Sequence, residues 1–313
     1  MKSLLQIIRC VSCRREEPWA LATLVRTRGS TYRKPGARLL VDGSGETTGV
    51  LSGGCLEDEI ARHGLEVIRT GDAKLVSFDT RRLYGCDGQV DILIERLPAA
   101  GKEGNLLTLL GERLEHRARC CIRTVYEGGT PGSELLAQGV LTVEREGTFL
   151  HAVPLPVRLL LLGTGPEVEP ILELAHALAW QVEKVAHPSE LTDAFLPDAQ
   201  TAAVVMMHHF GRDLAALTRL LPMGLPYIGL LGPRKRSSEL VSRMQEFCIA
   251  DGDLWKNLHA PAGLDTGSEA PEEIALSIVA EVAAVLAGRR GGCLREKREA
   301  IHESTGLILG RSA

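Results

Sequence analysis

Three glycine-bracketed stretches carry the residue types that could do chemistry. The first is VLSGGCLEDEI (50–60), where Ser52, Gly53, Gly54 and Cys55 join an apolar run to a charged, helix-like run. A thiol at a helix start sits among unpaired backbone N–H groups, at the positive end of the helix dipole. That setting lowers a cysteine pKa from about 8.5 and raises its nucleophilicity and its affinity for soft metals. Glu57, Asp58 and Glu59 suit the first helical turn but do not help a thiolate, and a cysteine packed beside a tight turn fits the local pattern equally well. The second stretch is RTRGSTYRKPGARLL, where Arg26, Arg28, Arg33, Lys34 and Arg38 crowd a loop held by Gly29, Pro35 and Gly36. With Ser30 and Thr31 beside them, these cations suit a phosphate or carboxylate, although a solvated loop is the commoner use of such a run. LYGCDG then places Cys86 between glycines, ahead of a strand.

The third stretch is GTGPEV (163–168), in which Gly163 and Gly165 follow an apolar strand and open a helix, as a dinucleotide fingerprint requires. Val168 replaces the third glycine. Where an acid would hold the ribose, Ala186 and His187 stand instead, and Glu190 lies beyond the strand end. The pattern predicts the fold rather than a tightly bound dinucleotide. His208 and His209 end a buried strand, where open α/β sheets place their ligands, and at most one of two adjacent residues can enter a site. GPRKRSSE (232–239) offers Arg234 and two further cations at a strand-to-helix junction, a phosphate cradle. Cys10 and Cys13 have the spacing of a redox or zinc pair, but Cys120 and Cys121 are adjacent and supply no second pair.

The elements that must position these groups fall into two halves. Residues 1–153 read as an α+β domain, with helical spacing over Leu4, Leu5, Ile7, Ile8 and Val11 and then a meander of short strands. Strands are expected over 20–27, 37–43 and 46–52, a helix from Leu56 closed by Thr70-Gly71-Asp72, and further strands over 73–79, 89–97, 119–128 and 139–150. After AVPLP (152–156), residues 154–313 alternate buried strands with amphipathic helices, the pattern of a Rossmann-like, doubly wound parallel sheet. The fold class is therefore α/β, in two domains, as 313 residues lead one to expect.

With 44% hydrophobic and 24% charged residues the chain can bury a sizeable core. A formal charge of -4 and only 4% aromatics argue against nucleic acid as the partner. No apolar run approaches the roughly 20 residues that span a membrane, and the N-terminus does not continue as a signal peptide. Eight scattered cysteines suit a reducing compartment, so a cytoplasmic protein is expected.

GSTYRKPGARLLVDGSGETTGVLSGGCLEDEI resembles the N-terminal signature of the XdhC/CoxI family, accessory proteins of xanthine dehydrogenase and related molybdenum hydroxylases. LLLLGTGPEVEPILELAHALAW, YIGLLGPRKR, LHAPAGLDTGSEAPEEIALSIVAEVAAVLAGRRGG and KREAIH are similar to its C-terminal Rossmann domain. The family's glycine-rich cysteine motif, resembling GLGCGG, is shortened here to LYGCDG, with Asp87 intruding. The resemblance implies a chaperone rather than an enzyme. It would bind molybdenum cofactor (molybdopterin), protect it during sulfuration and aid its insertion into an apo-molybdenum hydroxylase of the xanthine dehydrogenase type. A cysteine desulfurase and a second copy of the chain are further implied partners. Cys55 matches the cysteine of the family's SGGC motif and would contact the molybdenum, with Ser52, Gly53, Gly54, Arg33 and Arg38 around it. Cys86, Gly163, Gly165, His208 and Arg234 complete the candidate cofactor-binding set. The competing expectation is an oxidoreductase using NAD(P) at Gly163 and Gly165.

Overall fold

The computed structural model describes all residues except 15–17, 30, 55, 80–87, 101, 103, 137–145, 193–194, 247–251, 253 and 298–313. Cys55, Cys86, Ser30 and most of KREAIH therefore lie outside the described residues. The chain divides into two compact units, Met1–Pro156 and Val157–Ala313.

The first unit contains α1 (Lys2–Cys13), β1 (Trp19–Gly29), β2 (Arg38–Val41), β3 (Thr47–Gly49), α2 (Glu57–Thr70), β4 (Lys74–Asp79) and β5 (Gly88–Leu97). It continues with α3 (Leu106–Glu115), β6 (Cys120–Val125), β7 (Gly132–Leu136) and β8 (Thr148–Val153). An antiparallel sheet runs in the order β3-β2-β1-β5-β4, and a second one in the order β7-β6-β8. Both faces of the larger sheet are apolar because strand residues alternate sides. Ala20, Ala22, Leu39, Val41, Ile92 and Ile94 pack with Ile60 and Val67 of α2. Leu21, Leu40 and Leu97 pack with α1, α3 and the smaller sheet. Gly71, at φ 83, ends α2 in the left-handed conformation that glycine adopts without penalty. The strand expected over 46–52 is shortened to β3 (Thr47–Gly49), and the N–H groups of Leu51 and Ser52 go to the Glu57 side chain instead of a strand partner. β7 was not expected; its GSELL carries no apolar alternation, which left it silent.

The second unit contains β9 (Arg158–Gly163), α4 (Val168–Ala177), β10 (Gln181–Val185), β11 (Thr201–Met206), α5 (Phe210–Leu220) and β12 (Tyr227–Leu230). It ends with α6 (Arg234–Glu246), β13 (Leu258–His259) and α7 (Pro271–Leu286). The strands form an all-parallel sheet in the order β10-β9-β11-β12-β13. Leu159 and Leu161 meet α4 and α7 on one face; Leu160 and Leu162 meet α5 and α6 on the other. The strand order reverses direction between β9 and β11, and the crevice at their carboxyl ends is where such sheets place ligands.

Candidate functional site

In the first unit, strand register turns three of the stretches singled out above the same way. Thr23 pairs with Arg38, Leu39 with Gly49, and Gly29 with Gly88, while Asp79 pairs with Gln89. The end of β1, the end of β4 and the start of β5 therefore lie together, while the start of β2 and the end of β3 face the same way but lie level with Ala22 and Thr23, six to seven residues back along β1. From these strand ends leave the cationic loop after Gly29, the turn at Ser52–Gly54, and the chain on either side of residues 80–87.

The turn is built from within. Glu57 turns back so that its Oε1 accepts from the N–H of Leu51 at 3.2 Å and of Ser52 at 2.8 Å, and its Oε2 accepts from Leu56 N–H at 3.1 Å and from the Ser52 hydroxyl. Ser52 Oγ in turn accepts from the N–H of Gly54 at 3.2 Å and of Leu56 at 3.1 Å. Burial alone would raise the Glu57 pKa, but the Ser52 hydroxyl and these backbone donors hold it below the usual carboxylate range. The N–H groups of Gly54 and Leu56, which the sequence left free to attract a thiolate, are thus already satisfied. Gly53 and Gly54 are exposed, with no atom of the described residues beyond their chain neighbours within 4 Å of where a Cβ would stand, and Gly54 adopts φ 104.

The cations separate. Arg33 is half-buried in a loop in which the Thr31 hydroxyl donates to its carbonyl at 2.9 Å, and Tyr32 stands 68% exposed beside it. Arg26 is committed to Asp91 at 2.5 Å and to Glu127 at 3.3 Å. Arg38 does not join the surface loop: it lies inside, 3% exposed, on the face covered by the smaller sheet. Its Nη1 reaches the Gly36 carbonyl at 3.1 Å and His151 Nδ1 at 2.8 Å, while its Nε and Nη2 have no hydrogen-bond partner among the described residues. Burial lowers its pKa to about 10, and burial together with the neighbouring Arg38 charge lowers that of His151 to about 3. Nearby Glu95 is raised by burial, against hydrogen bonds from Ser133.

The second unit carries a cavity of 520 Å³ at the carboxyl end of its sheet. Glu167 and His208 form its polar corner, Arg236 lies on one side, and Leu231, Ala262 and Leu264 are among its apolar lining. Glu167, the N-cap of α4, keeps its side chain 10% exposed and sends Oε2 to within 3.4 Å of His208 Nε2. His208 holds a left-handed φ of 53, a strained conformation for a residue with a Cβ. His209 faces elsewhere and caps α5, accepting from Arg212 N–H at 3.3 Å. Only His208 of the pair lines the cavity, and because β11 ends at Met206 it is the left-handed turn at His208 and the capping role of His209, not strand alternation, that separates them.

Gly165 has no room for a side chain: a Cβ there would stand 2.5 Å from His208 Nε2 and 2.7 Å from Glu167 Oε2. Gly163 is glycine for packing, since its Cβ would strike the Met206 carbonyl on β11 at 2.3 Å. Arg234 is exposed at the start of α6 and does not line the cavity; Arg236, two residues on, does. Arg236 is paired with Asp213, which is fully buried and accepts from Met207 N–H at 3.1 Å. Burial raises the Asp213 pKa, against the opposing pull of Arg236. The wall carrying Ala262 and Leu264 is fixed by Glu281, which accepts from Gly263 N–H at 2.8 Å and the Tyr227 hydroxyl at 2.7 Å and pairs with His259 at 3.0 Å. Sequence reasoning missed Glu167 and Glu281, and it counted Arg236 only as one of the two cations beside Arg234 in GPRKRSSE. Glu167 had a signal in its place directly after the GTGP turn; Glu281 had none.

Glu190 folds onto its own turn, its carboxylate accepting from the N–H groups of Ala186 and His187 at 3.3 and 3.0 Å. Among the described residues, no three His, Cys, Asp or Glu side chains converge as a metal site, and no helix is long and apolar enough to cross a membrane.

Two family models match this chain: the XdhC and CoxI family over residues 12–79, and the XdhC Rossmann domain over residues 159–282. The first takes in the Ser52–Gly54 turn, the second the whole lining of the cavity. The XdhC and CoxI family model thus matches part of the first unit and the XdhC Rossmann-domain model most of the second. A probable xanthine dehydrogenase subunit of Bacillus subtilis (strain 168) is 27% identical over 317 residues, covering 85% of this chain and 93% of the relative. The molybdenum cofactor insertion chaperone PaoD of Escherichia coli (strain K12) is 27% identical over 277 residues, covering 85% of this chain and 82% of PaoD. A crystal structure from Bacillus halodurans, described as a xanthine dehydrogenase, superposes with a TM-score of 0.76 at 23% identity, over 93% of this chain and 97% of that one. That last likeness concerns the fold.

Proposed function

We propose that this chain is a maturation factor that takes molybdenum cofactor as cargo, holds it while its metal is sulfurated, and passes it to an apo-hydroxylase of the xanthine dehydrogenase type. The observation that supports this reading is that the Arg33 loop, the Gly53–Gly54 turn and the chain flanking residues 80–87 all leave from strand ends that face the same way in the first unit's larger sheet. A cofactor with a phosphate tail and a dithiolene-held metal asks for a cation, open backbone and a soft ligand in one place. Arg33 supplies the first and the two glycines the second, and Cys55, next in sequence, is the soft ligand. The likeness to a cofactor insertion chaperone along 85% of the chain supports the same reading. A cysteine desulfurase and a second copy of the chain are the partners proposed with it.

The NAD(P) alternative meets a physical obstacle. A dinucleotide rests its pyrophosphate on the glycine turn and helix N-terminus, and here the Glu167 carboxylate and His208 fill that space. Glu190, the acid nearest to the ribose position, is committed to its own turn.

The chaperone reading is tested with purified protein mixed with cofactor released from a donor hydroxylase. The wild-type chain should take up the cofactor and restore activity to an apo-hydroxylase, and Cys55→Ser should retain at least about tenfold less of it. Equal retention by the variant would remove the thiol from the site; no uptake by the wild type would remove the function.

A further inference from the structure

Arg38 is a buried cation whose hydrogen bonds all lie on one side. Its Nη1 donates to the Gly36 carbonyl at 3.1 Å and to His151 Nδ1 at 2.8 Å. The fork formed by its Nε and Nη2 is buried and finds no acceptor among the described residues. Glu95, the neighbouring carboxylate, is taken by the Ser133 N–H at 2.8 Å and the Ser133 hydroxyl at 2.5 Å. A guanidinium buried with two unmet donors is costly, and an apolar side chain of similar length serves a core better. Stability therefore does not account for Arg38, and the groups that its Nη1 holds point to its use.

Both of those groups meet at the root of the cationic loop. Gly36 takes φ 94 and packs against the His151 ring, where a Cβ would stand 2.9 Å from Cδ2 and from Nε2. Its N–H donates to the Leu24 carbonyl of β1 at 2.8 Å. Gly36 is thus held by an imidazole, by a guanidinium on its carbonyl and by β1 on its N–H. Two residues separate it from Arg33, and one of them is Pro35, whose ring fixes φ. Arg33 itself makes no hydrogen bond or ion pair among the described residues, so its direction follows from the backbone that carries it. His151 lies on β8, opposite Ile122 of β6, so a strand of the smaller sheet supports a loop of the larger one.

We propose that Arg38 and His151 are positioning residues, which fix Gly36 and through it aim the Arg33 cation at the cargo. The proposal rests on the function proposed above.

The test uses the full-length chain and two readouts. One is amide hydrogen exchange over residues 31–36 without cofactor; the other is retention of cofactor released from a donor hydroxylase. Arg38→Met keeps the apolar stem and removes the Nη1 donor. His151→Phe keeps a ring and removes the acceptor, whereas His151→Asn keeps an acceptor near the place of Nδ1. Arg38→Met and His151→Phe should exchange at least about tenfold faster in this loop and retain at least about fivefold less cofactor. Arg38→Met should nevertheless unfold at a thermal midpoint no lower than that of the wild type. His151→Asn should return both readouts to within about threefold of the wild type. Unchanged loop exchange in Arg38→Met, a lowered thermal midpoint in that variant, or His151→Asn behaving like His151→Phe each overturns the proposal. Arg38→Met decides the matter alone if the His151 variants do not fold. Retention by the wild-type chain decides the underlying function, and the exchange comparison needs no cofactor, so the two ideas fail separately.

Discussion

The turn at Ser52–Gly54 and the turn at Gly163–Gly165 are written in the same grammar. Each joins a strand to a helix through two glycines and puts a glutamate at the helix start. Glu57 points back into its own turn, accepts three backbone N–H groups and a hydroxyl, and leaves the glycines above it bare. Glu167 accepts from no described backbone group of its turn; its carboxylate, with His208, fills the space over Gly165 and lines a cavity. One carboxylate is structural and its turn is open; the other is available and its turn is covered. A strand–glycine–helix pattern therefore does not by itself say where an anion will bind. What decides is whether the helix's own acid has already taken the N–H groups.

Substitutions can break this contrast in graded steps. Glu57→Ala leaves several N–H groups of the 51–56 turn without acceptors and should cost about 2–3 kcal/mol in the first unit, read as a lowered denaturation midpoint. If its cost were no greater than that of Glu167→Gln, the division between a structural and an available carboxylate would collapse. Gly54→Ala should cost about 1–2 kcal/mol, because φ 104 is strained for any residue with a Cβ, although there is space around it. Gly53→Ala meets neither obstacle and should change stability by no more than about 0.5 kcal/mol. Loss of cofactor uptake by Gly53→Ala at unchanged stability would sharpen the view that this surface is kept bare for a ligand. A large stability loss there would contradict it.

Much of the fold was legible because it rests on periodicity. Apolar runs marked β1, β5 and β9, the spacing of Leu56, Ile60 and Val67 marked α2, and Gly71 marked its end. The parallel unit followed from apolar runs separated by amphipathic helices. The site was legible in its backbone and less so in its side chains. SGGC and GTG could be read directly, but nothing in RLLV says that Arg38 faces a second sheet, because that cover comes from β8, more than a hundred residues away. Arg236 and Arg234 are indistinguishable in PRKRSS until the orientation of α6 is known. Glu281 lies in an apolar helix, and its partners Tyr227, His259 and Gly263 come together only through the parallel sheet.

The contact between Arg38 and His151 has a consequence for how the first unit responds to acid. An unfolded histidine takes up its proton near pH 6.5, whereas His151 in place resists until about pH 3. Between those values the unfolded chain is the better base, so every proton added favours the chain that has let go of this contact. Stability should decline as pH falls through that interval, beginning above the range in which carboxylates titrate. A His151→Gln chain, followed by denaturant unfolding across the same interval, should lose that early slope while keeping the later one. The half-buried histidine packed against Gly36 of the cationic loop would then register acidification ahead of the unit's carboxylates.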